Sequence, residues 1–151
     1  MLKSTLKHIK VGQLLPPEVK DNGDFTGNTY FDTAGLAEVL VLFNVGAGDI
    51  AIGSTAENAA PYLEECDTAG GSYTAITGAA LSAVIGATDD SKIFGIHVDL
   101  TKTHKRYLRA NAPHSGDGTN GGMLQITVLG FPAEVLPNSA AQMGLSELIQ
   151  A

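Results

Sequence analysis

The chain contains no tryptophan, a single cysteine and few aromatic residues, 6% of its 151 positions. With Cys66 alone, no intrachain disulfide can form and no cysteine-based zinc set is available, so the fold does not rely on oxidation. Basic residues are also scarce: nine Lys and Arg stand against sixteen Asp and Glu, a formal net charge of −7. A chain of that sign is a poor general ligand for nucleic acid or for an anionic membrane, because phosphate affinity rests on Lys and Arg. Nowhere is there a run of about 20 apolar residues of the kind a membrane-spanning helix needs. Lys3, Lys7, His8 and Lys10 break up what would be the apolar centre of a secretory signal. The expectation is a product synthesised in the cytoplasm, with no cofactor and with neither nucleic acid nor membrane among its partners.

What is abundant is small and aliphatic. Hydrophobic residues make up 44% of the chain and glycine occurs 18 times, so a core has to be assembled from Val, Ile, Leu and Ala between frequent turns. A chain of this length falls in the range of one domain and buries about 70% of the surface its unfolded form exposes. The clearest patterning lies over residues 92–130. Phe94, Ile96, Val98 and Leu100 share one face of an extended segment with Gly95, His97 and Asp99 on the other, and Leu124, Ile126 and Val128 repeat the alternation. Val39-Leu-Val-Leu-Phe43 is apolar without interruption, which at this length and β-branched content predicts a central strand rather than an amphipathic helix.

Residues 1–24, with Pro16-Pro17 and several charges, read as an extended N-terminal arm in which Leu6, Ile9 and Val11 could add an edge strand. Residues 25–151 then form a sandwich domain with a C-terminal tail. Thr29 and Phe31 alternate with Tyr30 and Asp32 and lead through Ala34-Gly35 into residues 36–44, a predicted hairpin; Gly46-Ala-Gly-Asp49 followed by Ile50 and Ile52 predicts a second. A helical turn is expected over 56–60 and a short strand over 62–66. Over 68–88, where Ala, Gly, Ser and Thr dominate, the readings are an irregular insertion or a meandering edge. Strands are predicted at 92–100, 104–110 and 123–130, the last two joined by a long hairpin loop at 111–122. Met143, Leu145, Leu148 and Ile149 could line a short helix within 139–149 that Gly144 weakens. No repeat of fixed period occurs. About seven to nine short strands with glycine-rich turns predict an all-β fold, a single β-sandwich of the jelly-roll kind.

No catalytic set emerges from the residues. Gly116-Asp-Gly118-Thr-Asn-Gly121 matches the dinucleotide fingerprint literally, but that motif works where a strand leads in and a helix N-terminus receives the pyrophosphate. Here a strand follows, and Asp-Gly and Asn-Gly pairs suit the positive φ of tight turns instead. Asp117 and Asn120 offer oxygens, short of the six to eight that calcium prefers. His97 and Asp99 project from one face, yet no nucleophile sits in a strand–turn–helix elbow to use them. His8, His104 and His114 show no metal-ligand spacing, and Glu64-Glu-Cys66-Asp67 surrounds the lone thiol with carboxylates that make it a poor nucleophile. The sharpest electrostatic feature is the basic run Lys102, His104, Lys105, Arg106 and Arg109. Alternation divides it, with Lys105, Tyr107 and Arg109 on one face and His104, Arg106 and Leu108 on the other. It reads as an edge strand guarded by charge against aggregation, or as a salt-bridged contact with an acidic protein neighbour; nucleic acid is the least favoured partner.

The run Ala87-Thr-Asp-Asp-Ser-Lys-Ile-Phe-Gly-Ile-His-Val-Asp-Leu100, then Lys105-Arg-Tyr-Leu108 and Gly116-Asp-Gly-Thr119, resembles small tailed-bacteriophage virion proteins of the capsid cement or decoration type. Upstream, Asp32-Thr-Ala-Gly35, Glu38-Val-Leu-Val41 and Gly48-Asp-Ile50 follow the same order of elements, and residues 54–88 are not covered. The resemblance implies a jelly-roll protein on the outside of an icosahedral head, a dimer or trimer that stabilises the shell by bridging neighbouring major capsid subunits, with no catalytic residues. The partners on this reading are the major capsid protein and further copies of the chain. The candidate contacts are Lys3, Lys7 and Lys10 of the arm, Lys102, Lys105, Arg106 and Arg109 of the basic run, and Asp117 and Asn120 of the glycine-rich loop. Removal of residues 1–20 is then expected to abolish capsid binding and leave the sandwich folded. The rival from another class is a carbohydrate- or receptor-binding β-sandwich, against which the absence of tryptophan counts; an enzyme comes third.

Overall fold

The computed structural model describes residues 9–26, 29–53, 60–114, 119–132 and 146–150. Ten strands form: β1 (Lys10–Lys20), β2 (Phe25–Thr26), β3 (Phe31–Asp32), β4 (Glu38–Val45), β5 (Tyr62–Cys66), β6 (Thr74–Ala80), β7 (Ile93–Asp99), β8 (Tyr107–Ala112), β9 (Gly122–Phe131) and β10 (Glu147–Gln150). The first sheet has the order β1-β9-β4-β7-β10, and the second β2-β8-β5-β6, with β3 also paired to β8. Pairing is antiparallel except where β10 runs parallel to β7. The two sheets pack face to face as a β-sandwich.

β4 lies at the centre of the first sheet, with β7 on one edge and β9 on the other. Val39, Val41 and Phe43 face the second sheet and are fully buried, together with Ile96 and Val98 of β7 and Leu124, Ile126 and Val128 of β9. Leu63 of β5, Leu108, Ala110 and Ala112 of β8, Phe25 and Phe31 close the core from the opposite side. On the other face of β4, Leu40 is buried too, in a smaller cluster with Phe131 that Ile9, Leu42, Ile93 and Leu129 flank. This second cluster accounts for the unbroken apolar run at 39–43: a strand paired on both edges and covered on both faces has no place for a polar side chain.

The connections differ from the predicted hairpins. β3 joins the second sheet and β4 the first, so the chain crosses between layers there, and it crosses again between β8 and β9. Ile52 and Gly53 form only isolated bridges, to Ile85 and His114; no return strand can lie beside β4, whose edges are both taken. Local sequence encodes a turn, but the sheet that the next strand joins depends on where its apolar face can be buried. β6 falls in the segment for which the readings are an irregular insertion or a meandering edge, and it is an edge strand of the second sheet. Its buried positions are only Ile76 and Ala79, and Gly78 has a positive φ of 82°, so period-two alternation fails there. The strand predicted at 104–110 starts instead at Tyr107. Residues 56–59, part of the expected helical turn, lie outside the described residues, as do residues 139–145 of the expected C-terminal helix. The described end of that segment is strand β10: the free edge of β7 offers backbone partners and Ile149 packs against the core, which overrides helical spacing.

The expected arm is corrected over its second half. β1 pairs with β9 from Lys10 opposite Gly130 to Lys20 opposite Gly122, with register shifts around Leu15 and at Pro16-Pro17. Prolines are tolerated because β1 is an edge strand and the pair sits in an irregularity of the ladder. Leu14 and Leu15 are 1% and 2% exposed. Deleting residues 1–20 therefore removes a strand of the sandwich and two core leucines, each worth about 2–5 kcal/mol, against a total stability of about 5–15 kcal/mol. We expect that truncation to abolish the cooperative thermal transition followed by circular dichroism. A native-like melt of the truncated chain would contradict the place of β1.

Candidate functional site

The register of the second sheet builds one polar and aromatic surface on the face turned away from the core. Tyr107, Arg109 and Asn111 of β8 lie beside Cys66, Glu64 and Tyr62 of β5, and Asp32 of β3 stands opposite Tyr107. Tyr30 meets Tyr107 edge-on, with ring centroids 5.3 Å apart and planes at 87°. The Arg109 guanidinium lies 4.3 Å from the centroid of the Tyr73 ring. The four tyrosines of the chain are thereby gathered on this one face.

Two arginine–carboxylate pairs hold the surface together. Arg106 donates from Nε and Nη2 to Oδ1 and Oδ2 of Asp32, each at 2.8 Å, the planar fork that matches a carboxylate. Hydrogen bonding from Arg106, then from the Ala34 N–H, holds the Asp32 carboxyl far below the usual carboxylate range. Arg109 donates from Nε at 2.9 Å and Nη2 at 2.6 Å to Glu64 Oε2. Glu64 is only 8% exposed, and a carboxylate so shielded from water requires such a partner. The Tyr62 hydroxyl donates to Glu64 Oε1 and accepts from Asn111 Nδ2 at 3.1 Å.

The basic run is consequently no free cationic patch. Beyond the two arginines, Lys105 Nζ donates to Thr74 Oγ1 at 3.1 Å, and the His104 ring and the Lys105 N–H both donate to Glu65 Oε2. Lys102 is exposed. Nor is the run an edge strand: β8 lies inside its sheet, between β5 and the β2 and β3 segments. The charges of Arg106 and Arg109 answer carboxylates on neighbouring strands, as opposite-charge pairs across strands do. Lys10 donates to the Asp32 carbonyl and its Nζ sits 4.7 Å from the Phe31 ring centroid. Lys3, Lys7 and Asp117 lie outside the described residues.

Asn120 belongs to a different device. Asp49 Oδ2 accepts the N–H groups of Thr119 and Asn120 at 2.8 and 2.9 Å, and Oδ1 accepts that of Gly121 at 2.9 Å. Gly121 has φ 76°, and a side chain there would strike the Lys20 carbonyl. The loop end is thus pinned from within the chain by a carboxylate seated on successive amides. His97 and Asp99 do not meet: the His97 Nε2–H donates diagonally across the strands to Glu38 Oε2 at 3.0 Å, while Asp99 Oδ1 accepts from Thr101 and closes a turn. His114 is 2% exposed and donates from Nε2 to the Lys20 carbonyl at 3.0 Å, tying the end of β1 to the second sheet. Cys66 is buried.

Sequence reasoning found the arginines but not their carboxylates, and it missed the assembled tyrosines altogether, since these come from four separate segments that only the strand register brings together. The class these observations define is an all-β sandwich with a tyrosine–arginine face on one sheet. No family model, no curated protein and no solved structure matches the chain. Among the described residues, no group of three or more His, Cys, Asp or Glu is placed to hold a metal ion, and no helix is long and apolar enough to cross a membrane.

Arg109→Ala leaves a shielded carboxylate without its cation and should cost about 3 kcal/mol in urea unfolding, most of it recovered when Glu64→Gln is added. Arg106→Ala, at a pair open to water, should change stability little; equal losses in the two variants would contradict the burial argument. The Asp49 carboxyl is held below its ordinary value of 3.8, chiefly by the Asn120 N–H, with Thr119 and Gly121 adding to that against desolvation. Its contribution is complete above the unfolded value and is lost as pH falls through the lower folded one. Amide protection at Gly121 should therefore persist at neutral pH and collapse in strong acid, and Asp49→Asn should weaken it at neutral pH; unchanged protection in that variant at neutral pH would refute the pinning.

Proposed function

We propose that this chain is a structural virion protein of the tailed-phage cement type, which binds the outer surface of a capsid and stabilises it by bridging major capsid subunits. Counting β2 and β3 as one strand, the orders β1-β9-β4-β7 and β2/β3-β8-β5-β6 match the double Greek key of an eight-stranded jelly roll, with β10 added at one edge. That agreement and the resemblance of the runs at 32–50 and 87–119 support the same class.

The observation that carries the reading is where apolar side chains remain uncovered. Among the described residues the exposed large hydrophobic side chains are Val11 at 65%, Val19 at 52%, Tyr30 at 48% and Met123 at 39%, and three of these four lie on β1 and its neighbour β9. Val19 and Met123 are direct register partners. Exposed apolar surface along one edge of a sandwich suits a protein partner. The arginines of the basic run are turned to carboxylates of their own chain, so the proposed contact moves from that run to the β1 edge, immediately after the segment that contains Lys3 and Lys7.

Binding at such an edge is modest for one copy. A dimer or trimer raises the effective concentration of its remaining edges once the first is seated. Because the protein binds the assembled shell and not the dissociated subunits, shell stability rises by mass action. The chain would be made in the host cytoplasm and reside on the capsid surface.

In purified particles, quantitative mass spectrometry should find near one copy per major capsid subunit or a simple fraction of it; a handful of copies, or none, rejects the proposal. With isolated shells, Val11→Asp and Val19→Asp should each weaken binding at least tenfold, about 1.4 kcal/mol, without lowering the melting temperature. Arg106→Ala should bind as the parent does.

A further inference from the structure

We infer that the tyrosine–arginine face carries a binding pocket for one pyranose ring of a neutral saccharide, in the recess lined by Tyr30, Tyr73, Arg109 and the loop at 69–71. This goes beyond the virion reading and does not depend on it. The recess has a volume of about 230 Å³, below the range of about 300–1,000 Å³ typical of pockets for drug-sized ligands. It admits a single ring rather than a length of polypeptide.

The chemistry of the lining is that of sugar recognition. Tyr30 is 48% exposed while braced against Tyr107, so an aromatic surface of fixed orientation faces solvent where the C–H face of a sugar can pack. Tyrosine here takes the part for which the chain has no tryptophan. Arg109 engages Glu64 through Nε and Nη2, and Nη1 is the guanidinium nitrogen outside that pair, with protons for ring hydroxyls. Because Glu64 and Tyr73 already hold the guanidinium in place, little side-chain entropy is lost when a ligand accepts from it. Glu64 also balances the charge of Arg109, which favours a neutral sugar over an acidic one.

The loop keeps the recess open. The Tyr73 hydroxyl donates to the Ala69 carbonyl at 2.9 Å and fixes the loop to the aromatic lining. A side chain at Gly71 would run into Thr68 Oγ1 and Cys66 Sγ, so the turn requires glycine there. Gly70, which lines the recess, has nothing within 4 Å of a Cβ built on it. A larger side chain is therefore accommodated at this edge of the recess without disturbing the fold.

The test uses the full chain, with methyl β-galactopyranoside, methyl β-glucopyranoside and methyl α-mannopyranoside as neutral probes and sialyllactose as the acidic one. Binding is followed by saturation-transfer NMR and on a glycan array. At least one neutral probe should bind, Tyr30→Ala and Gly70→Leu should each weaken it tenfold or more, and Lys102→Ala, exposed and outside the recess, should not. Melting temperatures of the three variants establish that they fold. Binding of no probe by the folded parent, binding of the acidic probe alone, or binding unaffected by Tyr30→Ala and Gly70→Leu would each overturn the inference. Both variants should also bind capsid shells as the parent does; if instead they lose shell binding and no sugar binds the parent, the face is a protein contact and the saccharide pocket is refuted.

Discussion

Backbone hydrogen bonds run from β4 to β7 on one edge and to β9 on the other, and its side chains are covered on both faces. It is the middle strand of its five-stranded sheet, and the remaining elements of that sheet are placed by reference to it. β9 can accept β1 on its far edge, and β7 can accept β10, because their near edges are already satisfied by β4. The core face of β4 is aliphatic but for Phe43, and the strands opposite meet it with Leu63, Leu108, Ala110 and Ala112. A substitution at Val41 is thus felt in both layers, whereas one at Thr77 on β6 touches a single edge.

Electrostatics in this acidic chain are organised by economy of cations. With nine Lys and Arg in all, Arg106 just before β8 and Arg109 within it are each committed to a carboxylate on an adjacent strand, Asp32 on β3 and Glu64 on β5. The surface that results is close to neutral and rich in tyrosine, and on the opposite sheet the exposed edge of β1 is apolar with lysines at its ends. The two faces suit different partners: one offers rings and fixed donors to a small polar ligand, the other offers aliphatic area to a protein.

How much of this was legible depended on whether a feature is local. The run 39–43 and the alternations at 94–100 and 124–128 announced their strands because burial on one or both faces constrains each residue individually. β6 is illegible, since alanine, glycine and threonine carry little contrast between faces, and the four residues of β10 are too few to show a period of two against the helical spacing of Met143, Leu145, Leu148 and Ile149. Hairpin predictions failed at β3–β4 and β8–β9 because a turn signal does not state which layer comes next. At the candidate site the basic run was visible and its role was not: the distance in sequence between Arg106 and Asp32, or between Arg109 and Tyr73, is bridged only by strand register. Asp49 stood in a recognised turn, but its amide partners lie far along the chain.

The pairing of β1 with β9 has a consequence in time. Lys10 cannot meet Gly130, nor Lys20 meet Gly122, until nearly all the intervening chain has been synthesised, and closing so long a loop is slow compared with local turns. β1 leaves the ribosome long before the strand it pairs with, and is among the last to find its place. Throughout that interval Leu14 and Leu15 are as uncovered as Val11 and Val19, so nascent chains crowded on one messenger present sticky, unpaired edges to each other. Pro16-Pro17 interrupts that edge at its middle, and the irregularity that the finished ladder merely tolerates acts during synthesis as a barrier to premature strand pairing between chains.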